Sequence, residues 1–359
     1  MKTQTYPNAS VQEIECPKCQ SKQVESGGYR VRKLRTLEGI KEPRVLKLRC
    51  RNCKKHLKSV YPEDTPRASW YSQRVHALMT VLSVHHVSEG CRTEVAEILG
   101  YPLTLKTHQA WQEGRARRIE QQERQQTLGQ NTPEVASIDE CKLGGSWAYT
   151  VTDTSTDYIC TSALSDSRNL FVVRDLVAEV EPKAVISDGC KSIEAGMHWF
   201  PKIPHGRCWF HVMQDVCRKV KKEDRPKLVA DLQVLYENET LPAAERWLRH
   251  LMERYDTTIL MPLLNAWQGL KWWWKLDTMP LTNNTSEHLY GNLWPRQKKR
   301  DKRTDTRKKA WLTEAIWRHN HKPITDGKSP FESFFGLSAK AASLTWLEKI
   351  LPRPHTTFT

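Results

Sequence analysis

The chain has 359 residues, of which 38% are hydrophobic and 14 are Trp, and its formal net charge is +15. That length gives room for two or three domains with real cores, and the composition excludes a disordered chain. No apolar run approaches the roughly 18 residues a bilayer span needs, and Met1 to Ser10 is too polar for a signal-peptide core, so a soluble, intracellular protein is expected. So large a cation excess points to a polyanionic partner, because phosphates reward Lys and Arg through counterion release. Nucleic acid fits better than a membrane surface, since no basic amphipathic helix with an exposed apolar face is evident.

Residues 1–60 hold two C-x2-C pairs, Cys16/Cys19 and Cys50/Cys53, among ten cysteines. Each pair lets two thiolates from one tight turn reach the same ion, and two pairs fill a tetrahedral shell, so one structural Zn²⁺ is expected here. The 30 intervening residues exceed the common spacing but include a strand-like stretch, Arg44 to Arg49, suited to a β-hairpin arm. Four incidental free cysteines are the plain alternative.

Residues 72–127 read as helical. Val75, Leu78, Met79 and Leu82 form one amphipathic stripe; a second helix runs from Arg92 to Leu99 and stops at Gly100 and Pro102. A third begins near Leu105 and enters a charged stretch with Arg115, Arg117 and Arg118. Helix, Gly-containing turn, longer helix is the pattern of a helix-turn-helix, although most such pairs are ordinary packing units. Gln121 to Thr132 is polar and reads as a linker.

From Val135 the period changes. Val135–Leu143, Trp147–Thr152 and Tyr158–Leu164 read as strands, followed by a helix over Leu170–Val180 and a short strand, Ala184–Ser187. A helix over Ser192–Trp199 and a last strand around Gly206–Phe210 complete the set. Three antiparallel strands followed by parallel partners is the order of an RNase H-like α/β domain. Residues 217–281 then turn helical, with Glu223–Leu235, Ala243–Tyr255 and Ile259–Trp267 as candidates. Trp272, Trp273 and Trp274 are expected to fill the core of this segment, base stacking by one of them being the lesser reading.

Three carboxylates stand out. Asp139 lies mid-strand, and alternation sends it and Glu140 to opposite faces, so only one can enter a given site. A carboxylate inside a central strand is costly unless paired or metal-bound; exposure at a strand edge is the alternative. Asp188 closes the strand 184–187, at the end where open α/β sheets place ligands, though Asp-Gly is also a common turn pair. Glu287 lies in Thr282-Asn-Asn-Thr-Ser-Glu287, where Asn284 and Glu287 also fit a capping box that starts a helix. Beside it, nine of the fourteen residues from Arg296 to Lys309 are basic: Arg296, Lys298, Lys299, Arg300, Lys302, Arg303, Arg307, Lys308 and Lys309. Offset by Asp301 and Asp305, that run carries +7 and suits a phosphate-tracking surface.

Asp139 in "SIDE", Asp188 in "VISDG", Cys208-Trp-Phe-His211 and "TNNTSE" ending at Glu287 resemble the DDE transposases of the Mutator-like superfamily, which includes many prokaryotic insertion-sequence enzymes. There the second Asp precedes a C-x2-H motif by about twenty residues, and a helical insertion separates that motif from the Glu; here Asp188 to Cys208 is 20 residues. The likeness spans about 135–325, and "SPFESFFGL" at 329–337 is similar to several groups. It implies an RNase H-like catalytic domain with an all-helical insertion, preceded by a zinc ribbon and a helix-turn-helix. The expected domains are 1–60, 61–130, 131–216, 217–281, 282–325 and 326–359. Asp139, Asp188 and Glu287 would hold two Mg²⁺ or Mn²⁺ ions, hard cations that suit carboxylate oxygens. Cys208, His211, Asn283 and Asn284 would support the site; a Zn²⁺ on Cys208 and His211 with Cys190 or Cys217 is the lesser reading. Partners would be double-stranded DNA, at element ends and target, and at least one further copy of the chain, with no membrane, in the cytoplasm beside the nucleoid. A domesticated non-catalytic DNA-binding protein and an RNase H-like nuclease or resolvase are the competing functions.

Overall fold

The computed structural model describes residues 14–337, apart from 63, 68, 86, 101–102, 127–130, 285–303 and 324–326. It divides into two compact units: 1–125 with 310–318, and 126–309 with 319–341. Among the described residues no helix is long and apolar enough to cross a membrane.

The first unit opens with two small antiparallel pairs. β1 (Val24–Val31) pairs with β4 (Arg44–Cys50), and β2 (Leu34–Thr36) with β3 (Gly39–Lys41). Ile14, Leu48 and Val60 make a small core under the first pair. Three helices follow: α1 (Gln73–Val84), α2 (Glu89–Ile98) and α3 (Leu105–Gln126). Ser72 and Ser88 cap the first two by accepting from the Val75 and Cys91 N–H groups. Val75 and Met79 of the predicted stripe are fully buried, and Met79 packs with Ala96 and Leu103. Two expectations change. The stretch from Gln121 is helical as far as Gln126 rather than linker, because Gln, Glu and Arg are good helix formers and polarity alone does not end a helix. The charged end of α3 is partly internal: Arg115 is 2% exposed, and its Nε donates to the buried Glu314 carboxylate at 2.5 Å. Gln112 Nε2 at 2.9 Å and Ser83 Oγ at 3.3 Å donate to the same carboxylate.

The second unit is built on a mixed five-stranded sheet in the order β7-β6-β5-β8-β9. β5 (Val135–Leu143), β6 (Ser146–Asp153) and β7 (Ile159–Ser165) are antiparallel, while β8 (Ala184–Ser187) and β9 (His205–Arg207) run parallel to β5. This is the three-antiparallel, two-parallel arrangement expected. α4 (Leu170–Val180) and α5 (Lys191–Met197) cover one face through Val173, Val177 and Ile193 packed on Ile138, Tyr149 and Val185. Asn169 caps α4 by accepting from the Phe171 N–H at 2.9 Å. The last predicted strand ends early: Cys208 is already the N-cap of α6 (Trp209–Cys217), so Trp209 and Phe210 are helical.

α7 (Arg225–Glu237), α8 (Leu241–Arg254), α9 (Thr257–Leu270) and the single turn α10 (Trp272–Lys275) fill 225–275. Their shared core includes Leu232, Leu251, Leu263 and Trp267. Trp274 joins it as expected, 6.0 Å from Trp209 and edge-on to it, whereas Trp272 packs against Val135, Ala184 and Ile186 of the sheet. Of α11 (Asp305–His321), the stretch 310–318 groups with the first unit. α12 (Pro330–Phe334) starts with a capping box between Ser329 and Glu332, and its Phe334 stacks on Tyr158 at 4.7 Å. Residue 320 lies against the outermost strand, β7: Asn320 Nδ2 donates to the Ile159 carbonyl, and its Oδ1 accepts from the Ile159 N–H, both at 3.0 Å.

Candidate active site

Register decides which side chains share a face of the sheet. β5 and β8 pair residue for residue from Val135 with Ala184 to Ile138 with Ser187, so Asp139 and Asp188 are the next matched positions. Both fall on the face of Val135, Ala184 and Ile186, Asp139 in the middle of β5 and Asp188 just past the carboxyl end of its parallel neighbour β8, in the sheet centre. Asp139 is 8% exposed. Its carboxyl is pushed well above the usual carboxylate range by burial first and by the charge of Asp188 second, with His211 pulling it back. Asp188 Oδ1 also accepts from the Cys190 N–H at 2.8 Å, which fixes the turn after β8.

The C-x2-H pair arrives from the next strand. Cys208 is buried, and its N–H donates to the Ser187 carbonyl at 2.9 Å, extending the β8–β9 ladder by one bond. His211 lies in the first turn of α6, where it acts on Asp139 electrostatically. The Trp209 N–H donates to the Leu281 carbonyl at 3.1 Å, which ties the chain entering "TNNTSE" to this end of the sheet. Asn283 follows, fully buried with neither amide atom hydrogen-bonded, and Asn284 is exposed. Asp139, Asp188 and His211 therefore come together, and Asn283 lies two residues beyond an anchor on α6. Glu287 and Arg296 to Arg303 lie outside the described residues.

Sequence reasoning passes over the groups on the opposite face. The Glu140 side chain is only 2% exposed and lies 2.9 Å from Arg168 Nε, while Arg168 stacks on Trp147 at 4.3 Å. Arg207 pairs with Glu194 and covers Gly189, where a Cβ would collide with its guanidinium; Gly189 also has φ +86°, so glycine is needed twice over. Strand alternation predicts where Glu140 points, but nothing local announces an arginine partner 28 residues away. Cys190 belongs to this face, its thiol bonded to Glu140 and Ser192, not to a set with Cys208 and His211. Of the basic run, Lys309 is exposed and Arg307 half-buried, but Lys308 is 4% exposed with its ammonium on Ser146 Oγ (2.9 Å) and Asp305 (3.2 Å). Lys308 is held inside and cannot track a phosphate.

The four cysteines Cys16, Cys19, Cys50 and Cys53 form the one group of three or more metal-ligating side chains among the described residues. Cys16 and Cys53 sulfurs are 3.5 Å apart and those of Cys19 and Cys50 3.6 Å, close to the separation of about 3.8 Å that bonds of about 2.3 Å in a tetrahedron require. Both second cysteines are followed by a left-handed residue, Gln20 (φ 56°) and Lys54 (φ 58°), so the two turns match. The Lys18 N–H lowers the Cys16 thiol to about 6, and the Cys53 N–H lowers the Cys50 thiol. Against the Ser21 N–H, burial and the neighbouring sulfurs push Cys19 up to about 11. Four sulfurs gathered this closely suit a cation between them.

Residues 179–300 match the profile of a family described as "Transposase, Mutator family". That stretch, about a third of the chain, is similar to Mutator-family transposases. It contains Asp188, the Cys208/His211 pair and Glu287, and begins beyond Asp139. Among solved structures, the catalytic core domain of BIV integrase is similar at 11% identity over 56% of this chain and 94% of its own, with a TM-score of 0.25. No curated protein matches the chain. The Mutator resemblance drawn from "VISDG", the C-x2-H pair and "TNNTSE" thus falls inside the matched stretch.

Proposed function

We propose that this chain is a DDE DNA transposase, with Asp139, Asp188 and Glu287 on an RNase H-like domain whose helical insertion spans about 217–281. The observation that carries the reading is the matched position of Asp139 and Asp188 on neighbouring parallel strands, facing one way, with Asp139 buried. A buried carboxylate beside a second, half-buried one is eased by a cation between them, and their oxygens fit hard divalent ions such as Mg²⁺ or Mn²⁺. A pair of such ions would supply stabilisation of the attacking and leaving oxygens during in-line displacement at phosphorus. Asp139 and Asp188 would hold them from the sheet and Glu287 from the chain after Asn283. His211 would orient the carboxylate it already attracts, and Cys208 would fix the end of β9 beneath it. Water then attacks at the element end to free a 3′-hydroxyl, and that hydroxyl attacks target DNA, with no covalent protein–DNA intermediate. The residues flanking Glu287 from Arg296 to Arg303, with Arg307 and Lys309, would track phosphates, and the ribbon and helix-turn-helix would recognise element ends. Joining two ends calls for at least a dimer.

Asp139→Ala, Asp188→Ala and Glu287→Ala should each cut strand cleavage of the DNA flanking the gene by at least about a thousandfold, as residues acting as a unit do, while gel-shift binding persists. A variant that cuts at the normal rate leaves the set. The ribbon reading carries one Zn²⁺ on Cys16, Cys19, Cys50 and Cys53, and chelation should release hydrogen-exchange protection over 24–50 before the five-stranded sheet opens. Protection unchanged by the chelator would argue against a metal there.

A further inference from the structure

Asp188 opens a turn whose next residue is Gly189, with φ +86°. Glycine leaves the backbone around it free to swing, which is a liability beside a carboxylate that must meet a cation. About 1 Å of misplacement at such a site can cost a hundredfold in rate. The turn's own bonds restrain it in part. The Cys190 N–H donates to Asp188 Oδ1 at 2.8 Å, and the Gly189 N–H donates to Ser187 Oγ at 3.3 Å. Ser187 Oγ is itself 2.8 Å from Nε2 of His205 on β9.

Arg207, two residues further along β9, lies on the same face as His205 and beside Ser187 in the register. Its guanidinium occupies the space that a Cβ on Gly189 would need, and it pairs with Glu194 of α5. α5 begins at Lys191, directly after the turn. One side chain therefore reaches from the strand beside the turn to the helix that follows it, filling the volume that glycine leaves open. A planar head that covers a backbone and binds a carboxylate at once is a property of arginine that lysine lacks.

The stem of the same side chain runs against α9. A Cβ at Gly269 would overlap Arg207 Cγ and come within 3.2 Å of Arg207 Cβ and 3.3 Å of the His205 carbonyl. Gly269 is inside a helix, where glycine costs about 1 kcal/mol relative to alanine, and its φ is not positive. Room for Arg207 is what calls for it. Two glycines far apart in sequence, one after Asp188 and one in α9, thus form the slot that a single arginine fills.

We propose that Arg207 is the positioning residue for Asp188 and that α9 acts on the carboxylate site through it. This role rests on Asp188 being a metal ligand, and it concerns how the site is held.

The test uses the full chain supplied with Zn²⁺. In the absence of other metals, Arg207→Ala should speed exchange of the Gly189 and Cys190 amides at least about tenfold while amides of β6 and α7 keep the parent's rates. Mn²⁺ binding to the same protein, counted by electron paramagnetic resonance, should weaken roughly 10- to 100-fold, the loss typical when support of a metal ligand is removed. Gly269→Ala should reproduce both effects, and should add little in a chain already carrying Arg207→Ala, because its overlap is with the arginine stem. Arg207→Lys keeps the stem and a cation for Glu194 and should fall between the parent and Arg207→Ala; it replaces Arg207→Ala if that variant does not fold. Exchange that quickens equally across the whole sheet overturns the proposal, as do parental turn exchange and Mn²⁺ affinity in Gly269→Ala and the Arg207 variant alike. Strand cleavage separates this role from the reaction: a parent that binds Mn²⁺ and cuts no DNA removes the transposase reading and leaves Arg207 as the support of Asp188.

Discussion

Asp139→Asn should stabilise the second unit in metal-free buffer while abolishing strand cleavage. Asp139 is 8% exposed, and burial followed by the Asp188 charge raises its carboxyl, so at neutral pH the ionised form is disfavoured in the folded chain relative to the unfolded one. The stability contributed by the protonated form is complete below the unfolded carboxylate value of about 4 and is lost as pH rises through the higher folded value. Asparagine removes the charge, keeps the shape, and can still accept from the Glu140 N–H as Asp139 does at 2.8 Å. A gain of about 1 kcal/mol or more is expected, since at a pH above both values each pH unit by which folding raises a carboxyl costs about 1.4 kcal/mol. At this size each kcal/mol moves Tm by about 2–4 °C. Mg²⁺ or Mn²⁺ should then raise the melting temperature of the parent and leave that of the variant almost unmoved. A variant that melts below the parent without metal, or responds to metal equally, would show that Asp139 is held by some other partner.

Glu314→Ala should be the most damaging single change in the first unit. Glu314, on α11, is completely buried and takes hydrogen bonds from Arg115 and Gln112 of α3 and from Ser83 of α1. Removing it leaves the Arg115 guanidinium ionised in the interior, a loss of about 3–5 kcal/mol. Replacing both members, Arg115→Met with Glu314→Met, should recover most of that, because the cost lies in the abandoned charge and not in the missing hydrogen bond. Hydrogen exchange on α1 and α3 reports this unit selectively. A Glu314→Ala chain with protection within about 1 kcal/mol of the parent would mean that water reaches Arg115.

The parts legible in the sequence share a physical cause: they depend on neighbours within a few residues. α4 is readable over Leu170–Val180 because its apolar spacing and Asn169 cap are local, and β8 because four residues of an apolar stretch end at Asp-Gly. Asp139 and Asp188 are readable as separate candidates, and their matched register follows once β5 and β8 pair. What stays hidden depends on distance along the chain. Glu314 reads as an ordinary polar residue between Thr313 and Ala315, and its role exists only because Arg115 lies 199 positions away. Lys308 reads as one cation of nine, and its burial on Ser146 needs a hairpin 162 residues earlier. Trp209 and Phe210 continue an apolar run that reads as strand, yet the chain turns into α6 at Cys208.

The amide of Asn320 has a consequence for solution behaviour. β7 is the outermost strand on its side of the sheet, and Asn320 satisfies both backbone groups of Ile159 as a neighbouring strand would. Those two groups are therefore not available as a template to another chain, and one side chain in a helix keeps that stretch from growing into an intermolecular sheet.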